Sequence, residues 1–237
     1  MTAARPTVVH VSGPEGAREA RGVVVVIDVL RAFTVSAVAF ARGATRCVLV
    51  TSVEEARRLH QEIPGSVLSA EERGLPIPGI EISNSPTMVA QLELAARTLI
   101  QRTSAGTQAI AALQASRGVE AMFAGSLVVA AATAQAVLLR RPRLVTLVAS
   151  GAPDHLEDRA CALLLETALR GRPAAAAELL RPFLASRRYR ELRSNATRGF
   201  PPSDLDIALD VDRYRFAMPA RLKEGLIELE KQDLTKI

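Results

Sequence analysis

The chain has 237 residues, of which 49% are apolar and only 3% aromatic, with no Trp. That supply suits one sizeable core of Val, Leu, Ile and Ala, as strands buried on both faces require. The formal charge of +5 raises nucleic acid, but the densest basic stretch, Arg181 to Arg198, is interrupted by Glu191 and carries a single aromatic, Tyr189. A nucleic-acid binder gathers its cations with stacking aromatics, so this stretch reads as a solvated helix or loop surface and no nucleic-acid partner is expected.

Five consecutive β-branched residues, Val23 to Ile27, predict a buried strand ending at Asp28. Small and apolar residues from Ala32 to Arg42 then predict a helix closed by Gly43. Arg46 to Val50 is the next strand, and Ser52 caps a helix with Glu55 at capping-box spacing. A short strand over Ser66–Ser69 opens into Glu71-Glu72-Arg73-Gly74, and a loop from Leu75 to Ser85 leads to Pro86, suited to a first helical turn. Three strand–helix pairs follow: Thr98–Thr103 with Thr107–Ser116, Val119–Ala124 with Leu127–Arg140, and Arg143–Ala149 with Leu156–Arg170. Past Gly171 the alternation stops; a helix over 174–186, a loop at Phe200-Pro201-Pro202 and a late edge or antiparallel strand over Arg213–Met218 are expected.

Strand alternating with helix predicts an α/β fold whose mainly parallel, or mixed, sheet is flanked by helices in α/β/α layers. We expect a single α/β domain over 1–237, or two lobes: a core of about 1–170 holding the site and a helical and edge-strand part over 171–237. Right-handed crossovers would put every strand-to-helix turn on one edge of the sheet. Cys47 and Cys161 lie in apolar patterns without metal or disulfide spacing and read as reduced core residues of a cytoplasmic protein. No apolar stretch reaches the length of a membrane span, and no membrane partner is expected.

Ligands of open parallel sheets sit beyond the carboxyl ends of the strands. The residues placed there are Asp28 and Arg31, then Glu71, Glu72 and Arg73, then Thr103, Ser104, Gly106 and Thr107, then Gly125 and Ser126, then Ser150, Gly151, Asp154, Glu157 and Asp158. Carboxylates for a hard cation, arginines and small hydroxyls with glycines together suit a phosphate held near Mg²⁺. Asp28 could simply cap a helix, yet a cap needs no five-residue buried strand before it, which favours a ligand or catalytic group. Glu157 and Asp158 read equally as a first-turn pair facing the helix dipole or as metal ligands. The Thr103–Thr107 turn reads equally as an ordinary cap or an anion site. His155 is the one histidine near this edge, a candidate proton donor to a leaving group. Leu30 occupies the position of the second Asp of a haloacid-dehalogenase phosphatase, and neither a P-loop nor a Gly-x-Ser-x-Gly elbow is present.

Val26-Ile27-Asp28-Val29-Leu30-Arg31-Ala32 is similar to the opening signature of the 2-phosphosulfolactate phosphatases. Glu72-Arg73-Gly74, Asn84-Ser85-Pro86, Gly106-Thr107, Gly125-Ser126, Ser150-Gly151, Glu157-Asp158 and Cys161-Ala162 continue the resemblance in the same order, with a weaker echo over Asp204–Pro219. The resemblance implies a Mg²⁺-dependent phosphatase acting on a small anionic phosphoester, (R)-2-phospho-3-sulfolactate, in coenzyme M biosynthesis, and a homodimer. On it, Asp28, Arg31 and Glu72 are the expected catalytic residues, and Asp28, Glu72, Glu157 and Asp158 the expected metal ligands. Arg31, Arg73, Asn84, Ser85, Thr103, Gly106, Thr107, Ser126 and Gly151 are the expected substrate contacts. Three positions depart from the family pattern: Ala105 and Leu127 where it has Asn, and Glu71 where it has Gly. A related phosphatase with another phosphomonoester, or a non-catalytic module binding anionic metabolites, are the alternatives.

Overall fold

A computed structural model describes residues 5–173, 175–194 and 197–234. In chain order the elements are β1 (Thr7–Ser12), α1 (Gly13–Glu19), β2 (Gly22–Ile27), α2 (Ala32–Ala41), β3 (Arg46–Val50), α3 (Val53–Glu62), β4 (Val67–Glu72) and β5 (Leu75–Pro76). They continue with α4 (Pro86–Ala90), β6 (Thr98–Arg102), α5 (Gly106–Ala112), β7 (Val119–Gly125), α6 (Ala130–Leu139), β8 (Leu144–Ala149) and α7 (Leu156–Leu169). The C-terminal part holds α8 (Ala176–Leu184), α9 (Arg187–Arg193), α10 (Ser203–Ala208), β9 (Phe216–Lys223), β10 (Leu226–Leu229) and β11 (Gln232–Asp233). Ala174, where the expected helix over 174–186 opens, lies outside the described residues.

All six residues of β2 are buried because both faces of the strand are covered. Its pleat sends Val24 and Val26 into one core, with α2 and α5, and Val23, Val25 and Ile27 into another, with α6 and α7. Helices thus flank both faces, and the expected layered α/β fold stands. The local punctuation also holds: the Ser52 hydroxyl accepts the Glu55 N–H at 3.1 Å, and Pro86 opens α4.

The sheet order is β1-β8-β2-β7-β9-β10-β3-β6-β4-β5. Two features correct the expectations. The late strand begins at Phe216 and is central: β9 pairs antiparallel with β7 and β10, and β10 antiparallel with β3. These three antiparallel ladders reverse the strand sense, so the parallel group β1, β8, β2, β7 runs opposite to the parallel group β3, β6, β4. The strand-to-helix turns therefore do not share one edge of one parallel sheet. Two of these turns nevertheless come together. Gly106, at the start of α5 after β6, sits so close to Asp28 after β2 that an added Cβ would lie 2.6 Å from Asp28 Oδ2.

Candidate active site

Beyond the ends of β2, β4 and β6, a cavity of about 330 Å³ is lined by Asp28, Arg31, Glu71, Arg73, Asn84, Thr103, Ser104, Ala105, His155, Arg188, Arg198 and Phe200, among others. Its character is divided: carboxylates lie deep and arginines come from loops and helices above them.

Asp28 is 4% exposed. Its Oδ1 accepts the Ala32 N–H at 3.0 Å, so the carboxylate meets the start of α2, whose capping residue is Arg31, as well as the cavity. Burial raises its carboxyl to about 6, the Glu71 carboxylate adding to the rise and the Ala32 and Gly106 N–H groups opposing it. Asp158, in the first turn of α7, accepts Val29 N–H at 2.8 Å and Gly151 N–H at 3.1 Å. Burial holds its carboxyl well above the usual range, and repulsion from Asp28 and Glu157 adds to that. Glu157 is raised by burial too, and Arg188 opposes the rise from 3.2 Å. Glu157 Oε2 is buried with no hydrogen-bond partner among the described residues, and the buried Ser150 hydroxyl has only the Asp28 carboxylate near it. Such orphans are expensive unless something else satisfies them.

The period of two along β4 decides between the two adjacent glutamates. Glu71 turns inward: its Oε1 accepts the Ser104 N–H at 2.5 Å and its Oε2 the Gly74 N–H. Glu72 turns outward, its side chain 65% exposed and 3.8 Å from Arg102. The structure brings Asp28, Glu157 and Asp158 together and leaves Glu72 apart, with Glu71 in the inward position. The sequence carried this signal in the pleat, but the Glu-Arg-Gly resemblance drew attention to the next residue.

The expected substrate contacts divide as well. Arg31, Arg73, Asn84 and Thr103 line the cavity, and Gly106 forms its wall against Asp28. Ser85 instead donates to Asp204 Oδ1 at 2.6 Å and accepts the Met88 N–H as the cap of α4. Thr107 is tied to Thr103, its N–H donating to Thr103 Oγ1 at 3.1 Å, in an ordinary capping exchange. Ser126 pairs with Thr34 at 2.6 Å inside the core. Gly151 lies under the His155 ring, where a Cβ would come 1.9 Å from Nδ1. His155 lines the cavity, and burial, with Arg188 adding, lowers its imidazole to about 4. The ring is therefore neutral through the ordinary pH range.

Arg188 corrects the reading of the basic stretch. Arg187, Arg190 and Arg193 of α9 are exposed, as expected of a solvated face. Arg188 points inward to Glu157 and the cavity, a placement that only the packing of α9 against the rest of the chain produces.

A family model described as 2-phosphosulpholactate phosphatase matches residues 11–198. The chain belongs to this family. It is 37% identical over 150 residues to a probable 2-phosphosulfolactate phosphatase of Bacillus subtilis, covering 62% of this chain and 64% of that one. It is 37% identical over 137 residues to one of Carboxydothermus hydrogenoformans, covering 57% and 55%. It is 33% identical over 129 residues to one of Deinococcus radiodurans, covering 54% and 53%. The chain thus spans between 53% and 64% of the length of these relatives. Among the described residues, no helix is long and apolar enough to cross a membrane. The family match takes in the Asp28, Glu71 and Asp158 positions and Arg188, and it stops before α10.

Proposed function

We propose that this member of the 2-phosphosulpholactate phosphatase family is a Mg²⁺-dependent phosphoric monoester hydrolase. Its substrate would be (R)-2-phospho-3-sulfolactate, cleaved to 3-sulfolactate and phosphate on the way to coenzyme M. The observation that carries the reading is one cavity with buried carboxylates at its floor and Arg31, Arg73 and Arg188 around it. A substrate with phosphate, carboxylate and sulfonate groups needs several cations; a phosphoryl group near carboxylates needs a counter-ion between them.

The donor set suits Mg²⁺ as a partial shell. Among the described residues, no three His, Cys, Asp or Glu side chains form a group that could hold a metal ion by themselves. Mg²⁺ commonly keeps several waters and is held by one or two carboxylates plus substrate phosphate, so a partial shell suffices. Asp28 and Asp158 repel each other, and Glu157 Oε2 is unsatisfied, which are deficits a hydrated divalent cation relieves. Asp28 would hold the ion, with Glu157 and Asp158 directly or through water and Glu71 beside them. When bound, Mg²⁺ neutralises phosphoryl oxygens and lowers the cost of bringing in the dianion.

The chain's own residues do the rest. Arg31 and Arg73 present planar forks of donors to the anionic groups. Asn84, whose Oδ1 accepts from Gln101 Nε2 at 2.9 Å, is held so that its amide N–H₂, which has no partner among the described residues, can donate to substrate. A water attacks phosphorus, the ester P–O bond breaks, and the leaving alkoxide takes a proton from solvent. Neutral His155 accepts the proton that the water gives up. Ala105 and Glu71 both line the cavity, so two of the departures from the family pattern fall on substrate contacts and favour a related phosphorylated hydroxy acid as the second reading. The buried thiols Cys47 and Cys161, both unpaired, suit a reducing cytoplasm, and a homodimer is part of the same proposal. Phosphate release from phosphosulfolactate and from a panel of phosphomonoesters, with Mg²⁺ and with a chelator, tests the function. Light scattering tests the dimer.

A further inference from the structure

Arg31 is 5% exposed, so its guanidinium has a fixed direction, and the groups that fix it come from the far end of the chain. Nη1 donates to the Gly199 carbonyl at 2.8 Å and to Asp204 Oδ2 at 2.9 Å. The Phe200 ring lies 4.7 Å from the guanidinium carbon. Asp204 is fully buried, and its other oxygen, Oδ1, accepts from Ser85 Oγ at 2.6 Å and from Thr87 N–H at 3.1 Å. Asp204 therefore has no free oxygen aimed at the cavity; it acts on the site only through Arg31. A guanidinium carries five N–H donors. Nη1 spends its pair on Gly199 and Asp204, and among the described residues Nε and Nη2 make no hydrogen bond. Arg31 lines the cavity, and neither of these nitrogens is among the fully buried polar atoms left without a partner, so both have open space to meet an anion.

We propose that the segment Gly199–Asp204, with Asp204 as its anchor, is a positioning clamp that aims the free edge of the Arg31 guanidinium at the substrate anion. This rests on the reading of Arg31 as an anion-binding group. The clamp segment lies beyond residue 198, where the family match ends, and reaches back to Arg31 and Ser85 within it. A buried ion pair of this kind is weak evidence for stability and better suited to fixing geometry. Fixing one edge of a planar fork also spares the ordering cost when an anion arrives.

The test uses the full chain with inorganic phosphate in a calorimetric titration and phosphosulfolactate in turnover. The proteins are the wild type, Asp204→Asn, Arg31→Lys and the double variant. Asp204→Asn is expected to weaken phosphate binding about tenfold, the scale of one charge-assisted hydrogen bond, and to raise KM more than it lowers kcat. The double variant is expected to bind phosphate no worse than Arg31→Lys alone, because both changes disable the same edge. Phosphate affinity at the wild-type level in Asp204→Asn, or losses that simply add in the double variant, would overturn the clamp. So would a wild type that binds no phosphate. Should circular dichroism show Asp204→Asn unfolded, Phe200→Leu carries the test, since it removes the stacked ring and leaves the ion pair. Weaker phosphate binding supports the clamp and unchanged binding overturns it. A wild type that binds phosphate but turns over no ester sinks the phosphatase reading, while the binding measurements still decide the clamp.

Discussion

The floor and the roof of the cavity are built on different principles. The floor carboxylates Asp28 and Asp158 sit within two residues of a strand end or a helix start and are held by backbone N–H groups. The roof arginines come from loops and from the C-terminal helices. Arg31 is fixed by an ion pair and a ring, Arg188 is held by Glu157 with its side chain 28% exposed, and Arg73 is exposed. Backbone donors hold an anion without any further side chain, so the floor is rigid and local. A guanidinium needs partners brought from elsewhere, so the roof depends on tertiary packing. The contrast teaches that charge in the floor is stored against repulsion, and charge in the roof is aimed.

Four measurements sharpen or break this contrast. The largest effect is expected in the floor: Asp28→Asn should lower phosphate release about 10³-fold, several kcal/mol of lost charge stabilisation. Glu71→Gln should be strongly impaired in the same assay, whereas Glu72→Gln should stay within about twofold because its side chain is a solvated surface group. Equal losses for the two glutamates would erase the distinction drawn from the pleat. Next comes Gly106→Ala, whose Cβ would press on Asp28 Oδ2 and Ala32 Cβ. A loss of about 10²-fold in kcat/KM is expected from misplacing the carboxylate, and wild-type turnover would show that the close approach has no consequence.

The roof should respond more mildly. Arg188→Ala is expected to raise KM about tenfold, while Arg187→Ala, from the exposed face of α9, leaves it unchanged. Steady-state kinetics that fail to separate the two would return α9 to a plain surface helix.

The smallest effect is on stability as a function of pH. Asp28 titrates near 6 in the folded chain against 3.8 ordinarily, so its contribution is fully present below about 3.8 and is lost as pH rises through about 6. His155 behaves oppositely: its folded value near 4 lies below 6.5, so its contribution is present above 6.5 and lost as pH falls through about 4. Denaturation midpoints of Asp28→Asn should therefore gain on the wild type between pH 4 and pH 7, and those of His155→Gln should gain on it as pH falls below 6.5. Mg²⁺ at pH 7 should close the first gap by relieving the repulsion. Parallel curves for all three proteins would mean that neither group is strained by its burial.

Sequence alone determined the elements whose cause is local. Five β-branched residues make β2 whatever lies around them, Ser52 and Pro86 mark their helices by backbone chemistry, and Asp28 follows its strand by adjacency. It also supplied the short motifs that place the chain in its family. Tertiary structure decided the rest, because pairing and facing are not recorded in any short window. The antiparallel β9–β10 hairpin entered the middle of the sheet, its pairing set by partners more than 90 residues away, and reversed half of the strands. Glu71 was chosen over Glu72 by which face of β4 the cavity occupies. Arg188 and Asp204 were drawn to the site from the C-terminal part. Asp204 is fully buried and Arg188 is mostly withdrawn from water, so each is matched by an opposite charge supplied by a distant part of the chain.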